Sequence, residues 1–450
     1  MTESGRLAIR TDESDEPRGH MFYVAYHAKP KSGNKDSQTR PILFMWGGGP
    51  GGEAKNLHLK FIGPRIFENE QLVDNQDTLL TEADLVFVDA VGTGFSRPAK
   101  PEYAAQFYTM GGDLAATTEF IRSYLAIHGQ IQRSIYVGGQ SLGTWRAAGV
   151  GEKLAEAGYN LKGIVIISGQ VPGAEISFAF DDAMYIPART RSAIFFKKLS
   201  PELLADPDKT IKQVEKWTRD VYWSALEKKD SLSHEEREQI ARQLARYTGV
   251  DEDFIDRKAL TMTTTVYRKT LLGSDPESVL SISDLTRSGL GSYSFAQKAA
   301  YGAYFRDELG YNTALPYISS GDSGIEHSFF PSTAVDPHQA TDWQWDIPEM
   351  TSEELKRLEN GYAPPNAPHW IQNALKRNPG TRVFIAAGKL DAMVSCMGNA
   401  IMIDNLGSAL ANRYTNKCYF GGHSIYLDRP DTRIALTNDL KAFISAGLER

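Results

Sequence analysis

Ser141 stands in Gly139-Gln140-Ser141-Leu142-Gly143, a Gly-x-Ser-x-Gly pattern. An apolar, β-branched run precedes it and an Ala-rich stretch follows. That context describes a strand, a sharp turn and a helix, with the serine hydroxyl exposed on the turn. Glycine is needed at 139 and 143 because a Cβ there would clash as strand and helix approach. The turn also sets Ser141 at a helix N-terminus, where N–H groups favour developing negative charge. The bland alternative is a Gly-rich loop whose serine caps the helix.

A serine hydroxyl is a poor nucleophile until a base takes its proton. The sequence offers nine histidines. Where a nucleophile sits on such a turn, the chain order is serine, acid, histidine. The base is therefore expected near the C-terminus, and His423, the last histidine, follows Gly421 and Gly422. His369 competes, but Pro364, Pro365, Asn366 and Pro368 mark its surroundings as a loop ahead of the last strands. The acid belongs between Ser141 and His423, at the end of a strand. Asp391 fits, immediately after the apolar run 382–388. A carboxylate there can accept the Nδ1–H of His423 and stabilise its imidazolium. Asp428 and Asp431 are alternatives that come after the histidine.

Such a reaction also needs donors for an oxyanion. Gly47-Gly48-Gly49-Pro50-Gly51-Gly52 leaves the apolar run 42–46 and can present bare backbone N–H groups, with the N–H of Leu142 as the second donor. Each such donor is typically worth about 3 kcal/mol in the transition state. Gly-rich loops also cradle phosphate, but no Lys-Ser/Thr follows these glycines.

These residues must be carried by a scaffold. Short apolar runs at 21–28, 42–46, 85–89, 135–138, 164–168, 383–387 and 418–420 read as strands. Most of the later ones are apolar throughout, as expected for strands covered on both faces. Residues 113–128, 145–157 and 432–446 have helical spacing. Strand alternating with helix predicts a mostly parallel central sheet with helices on both faces, and with the Gly-x-Ser-x-Gly turn the expected class is an α/β-hydrolase-type fold. Between 174 and 370 the strand signal fades, and 210–269 is charged and helical in pattern, with Asp251 opening a further helix. The expected organisation is a core of 1–173 and 371–450, interrupted by a mainly helical cap at 174–370. Carboxyl ends of parallel strands carry the sites of such sheets, where an insertion can overhang them.

Taken together, these blocks resemble the serine carboxypeptidase family, in particular its bacterial members. Trp46-Gly47-Gly48-Gly49-Pro50-Gly51 is similar to the family's Asn-Gly-Gly-Pro-Gly segment. Residues 84–96 are similar to its Asp-x-Pro-x-Gly-x-Gly-Phe-Ser block, and 139–143 to Gly-Glu-Ser-Tyr-Gly. Ala387 to Asp391, with Gly398-Asn399, resembles the acid segment, and Gly422-His423 through Pro430 the histidine segment. Residues 5–26, 183–190 and 305–311 extend the likeness over most of the chain. The resemblance implies Gly48 or Gly49, with Leu142, as oxyanion donors. It also implies a clamp on the substrate's terminal carboxylate, made by the Asn before Gly-Gly-Pro and the Glu before the serine. Here those substrate-binding positions hold Gly47 and Gln140. Gly47 has no side chain, and Gln140 is neutral at every pH. The block at 84–96 has Ala90 where the family has proline, a packing difference. Arg146 reads as a structural residue of the helix rather than a substitute anchor. Disulfides common in secreted members are largely missing.

Bulk properties narrow the partners. With 49 basic and 56 acidic residues, the net charge of −7 argues against nucleic-acid binding. No apolar run approaches the ~18 residues a membrane helix needs. Two cysteines and no apolar leader favour the cytoplasm, although a removed signal would leave the same record. No cofactor or metal is expected, and no oligomeric state is assigned. The first reading is a serine hydrolase that cleaves an amide or ester of a peptide or small acyl substrate through an acyl-enzyme. An acyltransferase using the same intermediate is the alternative, and a non-catalytic binding protein on the same scaffold the third reading.

Overall fold

The computed structural model describes residues 1–10, 15–28, 40–68, 71–170, 177–289, 300–319, 325–326, 341–347, 351–359, 368–427 and 429–448. Pro364, Pro365, Asn366 and Asp428 lie outside these residues, as do the residues next to the expected boundary at 173.

One large sheet organises the chain. Its main strands are β1 (Thr2–Ile9), β2 (Gly19–Tyr26), β3 (Ile42–Trp46), β4 (Asp84–Val88), β5 (Ile135–Gln140), β6 (Leu161–Ile167), β7 (Arg382–Gly388) and β8 (Tyr414–Tyr419). They lie in the order β1-β2-β4-β3-β5-β6-β7-β8. β2 runs antiparallel to β1 and β4, and every pair from β4 to β8 is parallel. This is the α/β-hydrolase sheet that the strand–helix alternation predicts.

The unbroken apolar runs have a simple cause. Ile42, Phe44 and Trp46 of β3 face one core with Leu114, Phe120, Val150, Leu154 and Leu375. Leu43 and Met45 face a second core with Phe61, Leu436, Leu440 and Phe443. Successive side chains of a strand point to opposite faces, so a strand covered on both must be apolar at every position. The covering helices on the first face are Met110–Ile127, Leu142–Glu156 and Trp370–Arg377, and Pro430–Leu448 covers the second.

β8 begins at Tyr414, four residues before the apolar run that announces it. It pairs on one side only, with β7, and as an edge strand its first half carries Thr415, Asn416 and Lys417. Asp251 does cap a helix, but only a short 3₁₀ one. Its side chain accepts from Asp253 N, a 3₁₀ turn spans Glu252–Phe254, and Asp256 then accepts from Lys258 N and Ala259 N. Local carboxylate-to-backbone bonds of this kind compete with helix continuation.

In the insertion, helices Phe178–Met184, Ile186–Phe195, Pro207–Trp217, His234–Thr248 and Thr264–Thr270 surround their own core of Ile186, Val214, Leu244 and Tyr267. Ala392 and Met402, from the segment after β7, complete that core and attach it to the sheet's carboxyl edge. Arg357 pairs with buried Asp181, whose carboxyl burial pushes up to about 6. Past Thr270 the described part of the insertion is largely irregular, with short helical pieces at Tyr304–Glu308 and Ser352–Glu359. Cys396 and Cys418 form a disulfide with Cα atoms 5.8 Å apart. Their number is therefore no argument for a reducing compartment, which corrects that part of the sequence reading. No helix among the described residues is long and apolar enough to cross a membrane.

Candidate active site

Every parallel strand ends at the same edge of the sheet, so β3, β5, β7 and β8 deliver their following loops to one place. Ser141 follows β5 with φ 56 and ψ −128, a conformation non-glycine residues rarely adopt. It heads the helix Leu142–Glu156, but its side chain makes no capping hydrogen bond there. The capping alternative therefore fails, and the hydroxyl is left for other use. The strained turn is held from below: Ser141 N donates to Ile167 O of β6 at 3.0 Å, and Ser141 O accepts from Thr144 N and Oγ1. A Cβ on Gly139 would lie 2.2 Å from Gly143 O, and one on Gly143 2.4 Å from Gly47 O. Backbone meets backbone there, so neither position tolerates a side chain.

The base and acid meet as expected. His423 Nδ1 lies 2.8 Å from Asp391 Oδ2. Asp391 is fully buried, and its second oxygen accepts from Met393 N at 2.8 Å. With Nδ1–H directed to the carboxylate, the lone pair is on Nε2. Nε2 is buried and has no hydrogen-bond partner. The two loops interlock: Leu390 N donates to Gly421 O, and a Cβ on Gly388 would lie 2.2 Å from Gly422 O. His423 N donates to Ser283 O of the insertion, and Leu285 N donates to Leu390 O. His369 instead precedes the helix Trp370–Arg377, and Asp431 lies in the first turn of Pro430–Leu448.

The Gly47–Gly52 turn leans over the serine. A Cβ on Gly48 would lie 2.6 Å from Ser141 Cβ and 3.3 Å from Leu142 N. Gly48 therefore abuts both the nucleophile position and the helix N-terminus, whose first N–H groups have no partner within the helix. Gly49, at φ 120, packs against Gly51 N and Gly52 N inside the turn. Trp46 Nε1 donates to Gly143 O at 2.7 Å, fixing the start of the turn to the nucleophile helix. Arg146 is a brace: it pairs with buried Asp113 at 2.6 Å and donates to Gly47 O at 3.0 Å.

Gln140, expected to face the substrate, turns its amide into the protein. Its Nε2 donates to His423 O at 3.2 Å and to Ser424 Oγ at 2.9 Å, and Oε1 accepts from Tyr426 OH. Gly47 has its Cα 'side' closed by Glu53 O, which a Cβ would meet at 2.3 Å.

Sequence reasoning missed two features. One is Tyr426, three residues after the histidine and 1% exposed, whose buried hydroxyl needs a partner. The other is a buried charge cluster behind the Gly-rich turn. Lys55 pairs with Glu53 at 2.8 Å beneath the rings of Tyr301 and Tyr317. Asp89 accepts from Ala54 N at 2.8 Å, and burial, with the Glu53 charge adding to it, pushes its carboxyl up to about 7. Charges this close to a Gly-rich turn and a strand end were the available signal. Among the described residues no group of three or more His, Cys, Asp or Glu could hold a metal ion.

Comparison with known proteins adds to this geometry. A family profile described as serine carboxypeptidase matches residues 3–239. A pheromone-processing carboxypeptidase KEX1 from Verticillium alfalfae is 29% identical over 192 residues, which are 39% of this chain. The match spans only 28% of that relative's length. Among solved structures, a prohormone-processing carboxypeptidase, Kex1(Δ)p from Saccharomyces cerevisiae, superposes with a TM-score of 0.52 at 16% identity. That superposition covers 99% of this chain and 91% of the other, and at such identity it speaks to the fold.

Proposed function

Because this chain belongs to the serine carboxypeptidase family, we propose that it is a serine hydrolase that cleaves an amide or ester through an acyl-enzyme on Ser141. The observation that carries this reading is the buried His423–Asp391 pair, whose Nε2 has no hydrogen-bond partner, together with the strained turn at Ser141. Ser141 Oγ attacks the carbonyl carbon as its proton passes to His423 Nε2. The carbonyl electrons move to oxygen, which the N–H groups of Gly48 and Leu142 stabilise. Collapse expels the amine or alcohol, which takes the proton from the imidazolium and leaves the acyl ester on Ser141. Water then attacks with His423 again as base, releasing the acid. Asp391 keeps the imidazole in the required tautomer.

The substrate is a peptide or a small acyl compound. The side chains that would clamp a terminal carboxylate are a glycine and an inward-turned glutamine, so a free C-terminus is not a requirement of this site. Treatment with a fluorophosphonate should label the wild-type protein and not Ser141→Ala. Turnover of ester and peptide substrates should fall by about 10⁴-fold or more in that variant. Retained turnover would reject Ser141 as nucleophile. Product that forms only when an amine or alcohol acceptor is added would replace hydrolysis by acyl transfer.

A further inference from the structure

Gln140 sits where the family resemblance puts a substrate ligand, yet each polar atom of its side chain already has a protein partner. Both donor directions are taken, by His423 O and Ser424 Oγ, and the acceptor by Tyr426 OH. Gln140 is 9% exposed and Tyr426 1%. The Tyr426 ring is itself fixed, stacked on Phe61 with centroids 4.6 Å apart and planes 8° from parallel. These bonds link the residue before the nucleophile to the peptide group of the base.

We propose that Gln140 and Tyr426 are positioning residues, which hold the His423 loop in register with Ser141, and that Gln140 does not bind the substrate carboxylate. The inference rests on the acyl-enzyme reading above. Physically, the bonds involving Asp391, Ser283 and Leu390 fix the His423 loop to the acid segment and the insertion, which leaves its distance from the serine turn free. Acceptance at His423 O by a side chain anchored one residue from Ser141 removes that freedom. Only a neutral amide suits the task. It donates twice and accepts once at every pH, whereas a glutamate in its ionised form could offer no donor to His423 O. A misplacement of about 1 Å between reacting groups can cost about 100-fold in rate.

The test uses Gln140→Leu, Tyr426→Phe and the wild type, each assayed on an N-acylated dipeptide and on the same dipeptide with its C-terminus amidated. The rate of fluorophosphonate labelling is measured in parallel. Gln140→Leu should lower kcat about 30- to 100-fold on both substrates, with KM within about twofold, and slow labelling by a similar factor. Tyr426→Phe, which keeps the stacked ring, should lose about 3- to 10-fold. It also keeps the inference testable if Gln140→Leu does not fold. A KM increase confined to the free acid, with kcat and labelling unchanged, would overturn the inference and restore a clamp. So would Gln140→Glu raising kcat/KM below pH 5 on the free acid alone. Absence of labelling in the wild type is a separate result, which removes the acyl-enzyme reading itself.

Discussion

At the scale of residues, the proposed chemistry rests on a serine held in a costly conformation. Ser141 at φ 56 carries strain that a glycine would not, of order 1–3 kcal/mol. Ser141→Gly is therefore expected to be more stable than Ser141→Ala by about 1 kcal/mol, both being inactive; equal urea midpoints would show that the turn is unstrained. Asp391→Asn should retain the fold and lower kcat by about 10⁴-fold, because an amide favours the wrong imidazole tautomer. A loss under tenfold would remove the carboxylate from the mechanism. The turn at Ser141 and the pairing of His423 with Asp391 were legible because chain order and flanking glycines constrain them. The orientation of Gln140 was not legible. A glutamine can face a substrate or a loop with the same spacing, and only the position of Tyr426 OH and Ser424 Oγ decides between them.

Elements explain why these residues meet. Parallel strands from β4 to β8 must end at one edge, so loops from residues 47, 141, 391 and 423 converge without any local sequence signal linking them. Strands buried on both faces announce themselves as apolar runs, which is why β3 to β7 were legible. The start of the polar edge strand β8 was placed four residues late, and the length of the 3₁₀ helix that Asp251 caps was not legible, because single-sided pairing and side-chain-to-backbone bonds leave weak periodicity. The disulfide between Cys396 and Cys418 spans the loop that joins the acid segment to the histidine strand, the two cysteines being 22 positions apart in sequence. Closing such a loop restricts the unfolded chain by about 3 kcal/mol. Cys396→Ser with Cys418→Ser should lower unfolding stability by about that amount in denaturant titration, and an unchanged midpoint would show that the bridge does not constrain the chain.

For the whole molecule, the insertion and the sheet share residues, and this limits how independently they can act. Ala392 and Met402 belong to the insertion's core, and Ser283 O accepts from His423 N. The insertion thus touches the His423 loop through its backbone, which sequence patterning of 174–370 did not reveal. The buried carboxyl of Asp89 gives the molecule a pH signature. Its folded value, raised to about 7, exceeds the usual carboxylate value, so the folded state binds more protons than the unfolded one between about pH 4 and 7. Stability from this group is present at the acid end of that window and declines as pH rises through 7. Asp89→Asn keeps an acceptor for Ala54 N and should flatten this decline in unfolding measured at several pH values; an unaltered slope would assign it to other groups. The most direct test of the site is a structure of the protein with a phosphonate bonded to Ser141. The account predicts the phosphoryl oxygen between the N–H groups of Gly48 and Leu142, and His423 Nε2 within about 3 Å of the serine oxygen. An adduct on another residue, or an imidazole remote from the bonded oxygen, would contradict it.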